Sequence, residues 1–191
     1  MNFFCIAFFI SALQINLSLW VNYAVKFIGM LFFIGGIFEI SGLNISFKKF
    51  LNPALILAGL SAVFAVMFLA FGINSVPLNT VSISGAVVGT AVTLFSLGFQ
   101  KALIREISAD EQIVNDLSLV KRFSKTWNKL AVITLANLAF DLVNRLVSVS
   151  VVADVSGLLM AISKIVMYIF ALVILSSANK MRIDFNKTHG F

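Results

Sequence analysis

Thr134, Asn137, Asp141, Asn144 and Ser148 recur at alternating spacings of three and four residues within an otherwise apolar stretch. On an α-helix that spacing sets all five along one narrow seam. Arg145 follows Asp141 by four residues, so the two charges can meet on adjoining turns. If the helix enters the bilayer near Lys129, Asp141 lies about 18 Å deep, close to mid-membrane. A charge there costs about 2.5–3.5 kcal/mol, and pairing offsets part of that. The seam therefore has to face protein or a wet cavity. Two chemistries fit it: an internal ion pair through which spans select partners, or a site that touches a solute, an ion or a proton.

Other residues could join that site. Lys164 falls about 10–12 Å into the next apolar stretch, where its stem can snorkel outward or turn in toward Asp141. Asn137, Asp141, Asn144, Arg145 and Lys164 together form the candidate intramembrane polar site. Glu39 lies near the end of an earlier stretch, within reach of neutralisation by Lys48 and Lys49. Residues 82–100 place Ser82, Gly85, Gly89, Thr93, Ser96 and Gln100 on one helical face. There Gly85 and Gly89 let backbones approach, and Ser96 and Gln100 can hydrogen-bond across a helix contact. Gly35, Gly36 and Gly42 suggest a second close contact or a bend.

Signatures of catalysis are missing. The single His, His189, stands near the C-terminus, and no His pair is available to hold a metal. The single Cys, Cys5, has no His near it to activate a nucleophile and rules out an internal disulfide. No glycine-rich phosphate loop followed by Lys occurs. The expectation is a protein without enzymatic activity, cofactor or metal.

These residues must be positioned by membrane helices. Of 191 residues, 60% are hydrophobic and 12% are charged, with a mean hydropathy of +1.04. Soluble domains carry about 25% charged residues. Lipid is the solvent that tolerates such a surface, and it requires every backbone polar group to be paired internally. Long apolar blocks, rather than the alternation of a barrel, indicate helices. Spans are expected over residues 2–19, 22–43, 52–73, 81–103, 129–152 and 155–178, each close to the roughly 20 residues a bilayer requires. The first is the weakest, since Gln14, Asn16 and Ser18 dilute its end. It lacks the preceding basic residue and the following small-x-small site of a cleaved leader. The expected fold is an all-α polytopic transmembrane bundle in one domain over residues 1–191, with about six spans, or five if the first lies flat in the interface.

Eleven of the 14 basic residues fall in three segments, 44–52, 101–129 and the tail from Lys180. By the positive-inside rule these segments and the C-terminus face the cytoplasm. That bias accounts for the net charge of +6, so no nucleic-acid partner is implied. Ser108 and Glu111 fit a capping box, after which Ile113, Leu117, Val120, Phe123 and Trp127 repeat at helical spacing. With Lys121, Arg122 and Lys125 beside Trp127, residues 109–127 are expected to form an amphipathic helix on the cytoplasmic leaflet.

Six spans in a chain of this length resemble, in size and topology alone, the substrate-binding subunits of vitamin importers; no motif carries that likeness. The functional expectation is an integral protein of the plasma membrane that acts as a non-catalytic subunit or accessory protein of a membrane complex. Its partners are the lipid bilayer and a membrane protein. The alternative is a small-solute or ion carrier with its site on the seam. A cavity of several hundred Å³ along the seam favours the carrier, and tight packing favours the subunit.

Overall fold

The computed structural model describes residues 1–12, 19–70, 78–110, 113, 115–146 and 150–189, and the side chains of all of these except 19, 78–86, 144–146 and 150–153. They form six α-helices: α1 (Asn2–Ala12), α2 (Leu19–Ser41), α3 (Leu51–Ala70), α4 (Leu78–Ala109), α5 (Leu117–Leu146) and α6 (Ser150–His189). A 3-10 helix, Ile45–Phe50, joins α2 to α3. Asn44 opens it, its side-chain oxygen accepting the Ser46 N–H at 2.9 Å. Among the described residues there is no strand.

Among the described residues, four segments are long and apolar enough to cross a membrane: Trp20–Ser41, Ile45–Ala70, Val87–Ala109 and Asp154–His189. The six expected spans are thus not all matched. α1, at 11 residues, is about 16 Å long, roughly half a bilayer, and residues 13–18 lie outside the described ones. α5 is long enough, but even its final stretch from Lys129 contains Asp141 and Arg145. Both helices nevertheless pack lengthwise in the bundle. α1 does not lie apart from it: Phe4, Ala7, Phe8 and Ala12 are buried against α2 and α6.

α6 shows why lipid suits this surface. Its buried face carries Ser163, Met167, Ala171, Ile174, Ala178, Met181 and Phe185. Its outer face carries Leu158, Ile162, Ile165, Ile169 and Leu172, all exposed. The outside is as apolar as the inside, and the serine is on the inside. Water would penalise that continuous stripe, whereas hydrocarbon accepts it.

Aromatic rings fill the centre. The Phe8 ring meets Phe33 edge-on at 4.9 Å and Phe123 at 5.0 Å, and Phe33 meets Phe99 at 5.4 Å. One chain of rings therefore links α1, α2, α4 and α5, in the offset and T-shaped geometries that ring quadrupoles favour. Gly36 makes the α1–α2 contact close: a β-carbon there would stand 2.7 Å from the Phe4 ring. Of the sequence-predicted glycine contacts, this one is a true close approach.

The amphipathic helix expected over 109–127 is not a separate element. α4 continues through Ala109, and α5 begins at Leu117 and runs unbroken to Leu146. Ser108 is no N-cap. It sits in the last turn of α4, its hydroxyl donating to the Ile104 carbonyl at 2.6 Å, and Glu111 lies outside the described residues. The cap of α5 is Asp116, whose carboxylate accepts the Ser118 N–H at 2.8 Å and whose carbonyl accepts from Leu119. Hydrogen bonds from the Ser118 hydroxyl and then the Ser118 N–H hold the Asp116 carboxyl below its usual pKa. The apolar face expected to meet lipid meets protein instead, with Ile113, Val120, Phe123 and Trp127 all buried. Leu117, counted on that face, is exposed.

The physical reason lies in phase. Val120, Phe123, Trp127, Leu130, Thr134 and Asn137 are all buried at spacings of three and four. The loop's apolar face and the polar seam are one stripe on one helix. α4, α5 and α6 are about 48, 45 and 60 Å long, so each outruns a roughly 30 Å hydrocarbon layer. Their overhanging turns pack on one another around Ile104, Ile107, Phe123, Met181 and Phe185.

Polar contacts gather at that same end. Asn44 donates to the Asp110 carboxylate at 2.5 Å, and Lys49 pairs with Glu106 at 2.7 Å. Asp184 accepts the N–H groups of Asn115 and Asp116 at 3.1 and 3.2 Å. The N-terminal amine pairs with Glu39. Lys49 is therefore committed to Glu106, and the N-terminal amine takes the place expected for Lys48 and Lys49 beside Glu39. Segment 44–50, the α4–α5 connection, the end of α6 and the N-terminus share one end of the bundle.

Candidate functional site

The seam of α5 is a joint against α6. Thr134 and Asn137 are 4% and 5% exposed. Ser163 on α6 donates its hydroxyl toward the Asn137 side-chain oxygen at 2.9 Å and lies equally near the Met160 carbonyl. α5 and α6 make the most extensive helix contact among the described residues. Asp141, one turn beyond Asn137, is half-buried. The side chains of Asn144 and Arg145 lie outside the described residues, as does Ser148, so the expected Asp141–Arg145 pair does too. Lys164 is half-buried beside Ser163. The ion pairs among the described residues, Met1–Glu39 and Lys49–Glu106, do not include it.

The polar face of α4 reaches two different neighbours. Gln100 is buried and bridges helices: its oxygen accepts the Trp127 indole N–H at 3.0 Å, and its amide nitrogen donates to Ser96 at 3.1 Å. Trp127, expected as an interfacial anchor, is thus a buried, hydrogen-bonded link from α5 to α4. About two and three turns from Gln100 toward the other end, Thr93 and Gly89 face α2. A β-carbon on Gly89 would lie 3.4 Å from the Tyr23 hydroxyl, an ordinary contact rather than a forced approach. The surroundings of Gly85 lie outside the described residues.

Sequence reasoning missed Lys26. This lysine of α2 points into the bundle. Its ammonium donates to Thr93 Oγ1 at 2.7 Å, and that hydroxyl donates in turn to the Gly89 carbonyl at 2.7 Å. The ammonium also stands 5.4 Å from the Tyr23 ring centre, a cation–π range. The three-residue step from Tyr23 to Lys26 is the signal that could have paired them on one face. Intramembrane lysines mark functional or structural joints, and this one ties α2 to α4.

Lys121, Arg122 and Lys125 are exposed. Lys121 and Lys125 line a groove of about 930 Å³ between α4 and α5, whose wall also includes Trp127. Among the described residues, no group of three or more His, Cys, Asp or Glu side chains is placed to hold a metal ion. The candidate residues thus separate into three sets: a packed seam on α5 and α6, a lysine–threonine joint between α2 and α4, and a basic groove between α4 and α5. In comparisons with protein-family models, curated proteins and solved structures, no match to the chain was found.

Proposed function

We propose that the protein is a multi-pass protein of the plasma membrane, with the charged end of its bundle in the cytoplasm, and that it serves as a non-catalytic subunit or accessory protein of a membrane complex. The observation that carries this reading is the Asn137–Ser163 hydrogen bond in a buried α5–α6 contact. A carrier with its site on this seam would line a wet path with these groups, whereas here they satisfy one another between helices. The Asn137–Ser163 bond favours one register of α5 against α6, because a buried polar group that finds its partner across a helix contact costs little. The cytoplasmic assignment rests on the eleven basic residues of segments 44–52, 101–129 and the tail.

The reading is tested by purifying the tagged full chain in mild detergent. A stoichiometric membrane-protein companion is expected, one whose own activity falls when this chain is deleted. A chain that migrates alone and drives uptake of a solute into vesicles would overturn the proposal in favour of the carrier.

A further inference from the structure

The groove between α4 and α5 is lined by Lys101, Arg105, Lys121, Lys125 and Lys129, with no acidic side chain among its lining residues. On each helix these cations stand four residues apart, so they stack on one face and repel one another. The nearest acids on α4 and just past its end are turned elsewhere, Glu106 to Lys49 and Asp110 to Asn44. Among the described residues, none of the five cations makes an ion pair. Such a cluster has the chemistry of an anion site, since Arg and Lys so placed match phosphate oxygens.

The rest of the wall is apolar. Val132, Ile133 and Phe170 continue the groove away from the cations. Val132 is 65% exposed, and the surface beyond it carries exposed Leu135, Ile169 and Leu172. A soluble phosphate would leave that wall wet, whereas a phospholipid covers it with an acyl chain. The volume is in the range of built ligand sites. Resting on the membrane reading above, we infer that this groove binds one anionic phospholipid, its phosphate held by Lys101, Arg105, Lys121 and Lys125 and its chain laid along Val132, Ile133 and Phe170. Basic pockets between helices at the cytoplasmic leaflet are suited to such headgroups.

Trp127 lines the groove and reports on it. The full chain carrying Trp20→Phe, so that Trp127 is its only tryptophan, is placed in phosphatidylcholine nanodiscs and titrated with phosphatidylglycerol brominated on its acyl chains. Quenching at low mole fraction is expected, and brominated phosphatidylcholine should not reproduce it. Lys121→Gln with Lys125→Gln should raise the phosphatidylglycerol needed by about tenfold. Lys48→Gln with Lys180→Gln, basic residues outside the groove, should leave it unchanged. Equal quenching by the two lipids, or equal effects of the two charge pairs, would overturn the site in favour of a diffuse surface field. Displacement of the lipid by inorganic phosphate or by free glycerophosphoglycerol would make it a soluble-anion site instead. A chain that does not enter nanodiscs at all would refute the membrane reading itself, and the lipid site with it.

Discussion

Phe8→Ala should destabilise the detergent-solubilised chain by about 3–5 kcal/mol, the range for deleting a buried aromatic ring. Its ring is 4% exposed and sits where α1, α2 and α5 meet, against Phe4, Phe33 and Phe123. In a lipid-solvated bundle, transfer out of water adds little, so the loss comes from vanished contacts and from the cavity left behind. Phe95→Ala supplies the contrast. That ring is 70% exposed on α4, and its removal should cost no more than about 0.5 kcal/mol. Unfolding followed by circular dichroism over a denaturing-detergent titration measures both. Equal, small losses would show that α1 is not built into the core.

Trp127→Ala should cost a similar amount, about 3–5 kcal/mol, because the side chain is 3% exposed and carries the hydrogen bond to Gln100. Trp127→Phe separates the two contributions. It keeps most of the ring but leaves the Gln100 oxygen without its donor, a penalty of about 1–3 kcal/mol. Adding Gln100→Leu should then recover part of the loss, since no buried acceptor remains to be satisfied. A tryptophan anchored in the leaflet would behave otherwise: Phe would substitute almost freely, and Gln100→Leu would act independently. The same unfolding titration distinguishes the two patterns.

Much of this arrangement was legible in the residues. The apolar blocks that led to spans near 22–43, 52–73, 81–103 and 155–178 correspond to α2, α3, α4 and α6. The three-residue step from Thr134 to Asn137 places both on one buried face, and Gln100 with Ser96 reads as a polar helix contact, whose partner on the facing helix is Trp127. The overhangs were not legible. Hydropathy marks where lipid stops, but a helix stops only where its backbone finds a cap, and α4 to α6 run on past the apolar edge. Val120 to Trp127 and Thr134 to Asn137 read as separate patterns because their residue types differ, although their phase is continuous through Leu130. Trp127 beside lysines satisfies the composition of a leaflet anchor, and only the third dimension shows Gln100 across from it. Lys26 was hidden for the opposite reason. Nothing in the residues around it marks a joint, and its partner Thr93 lies 67 residues away in sequence.

The seam as a helix joint is the claim on which the functional reading turns. Thiol accessibility addresses it in a chain whose single cysteine, Cys5, is replaced by Ala. Asn137→Cys and Ser163→Cys are introduced singly and together, in membranes rather than detergent. With the two positions facing each other across a packed contact, each lone thiol should resist a small water-soluble methanethiosulfonate, and the pair should cross-link on mild oxidation. Rapid labelling of either lone thiol, with no cross-link in the pair, would mean that water reaches the seam, and the carrier reading would replace the one proposed.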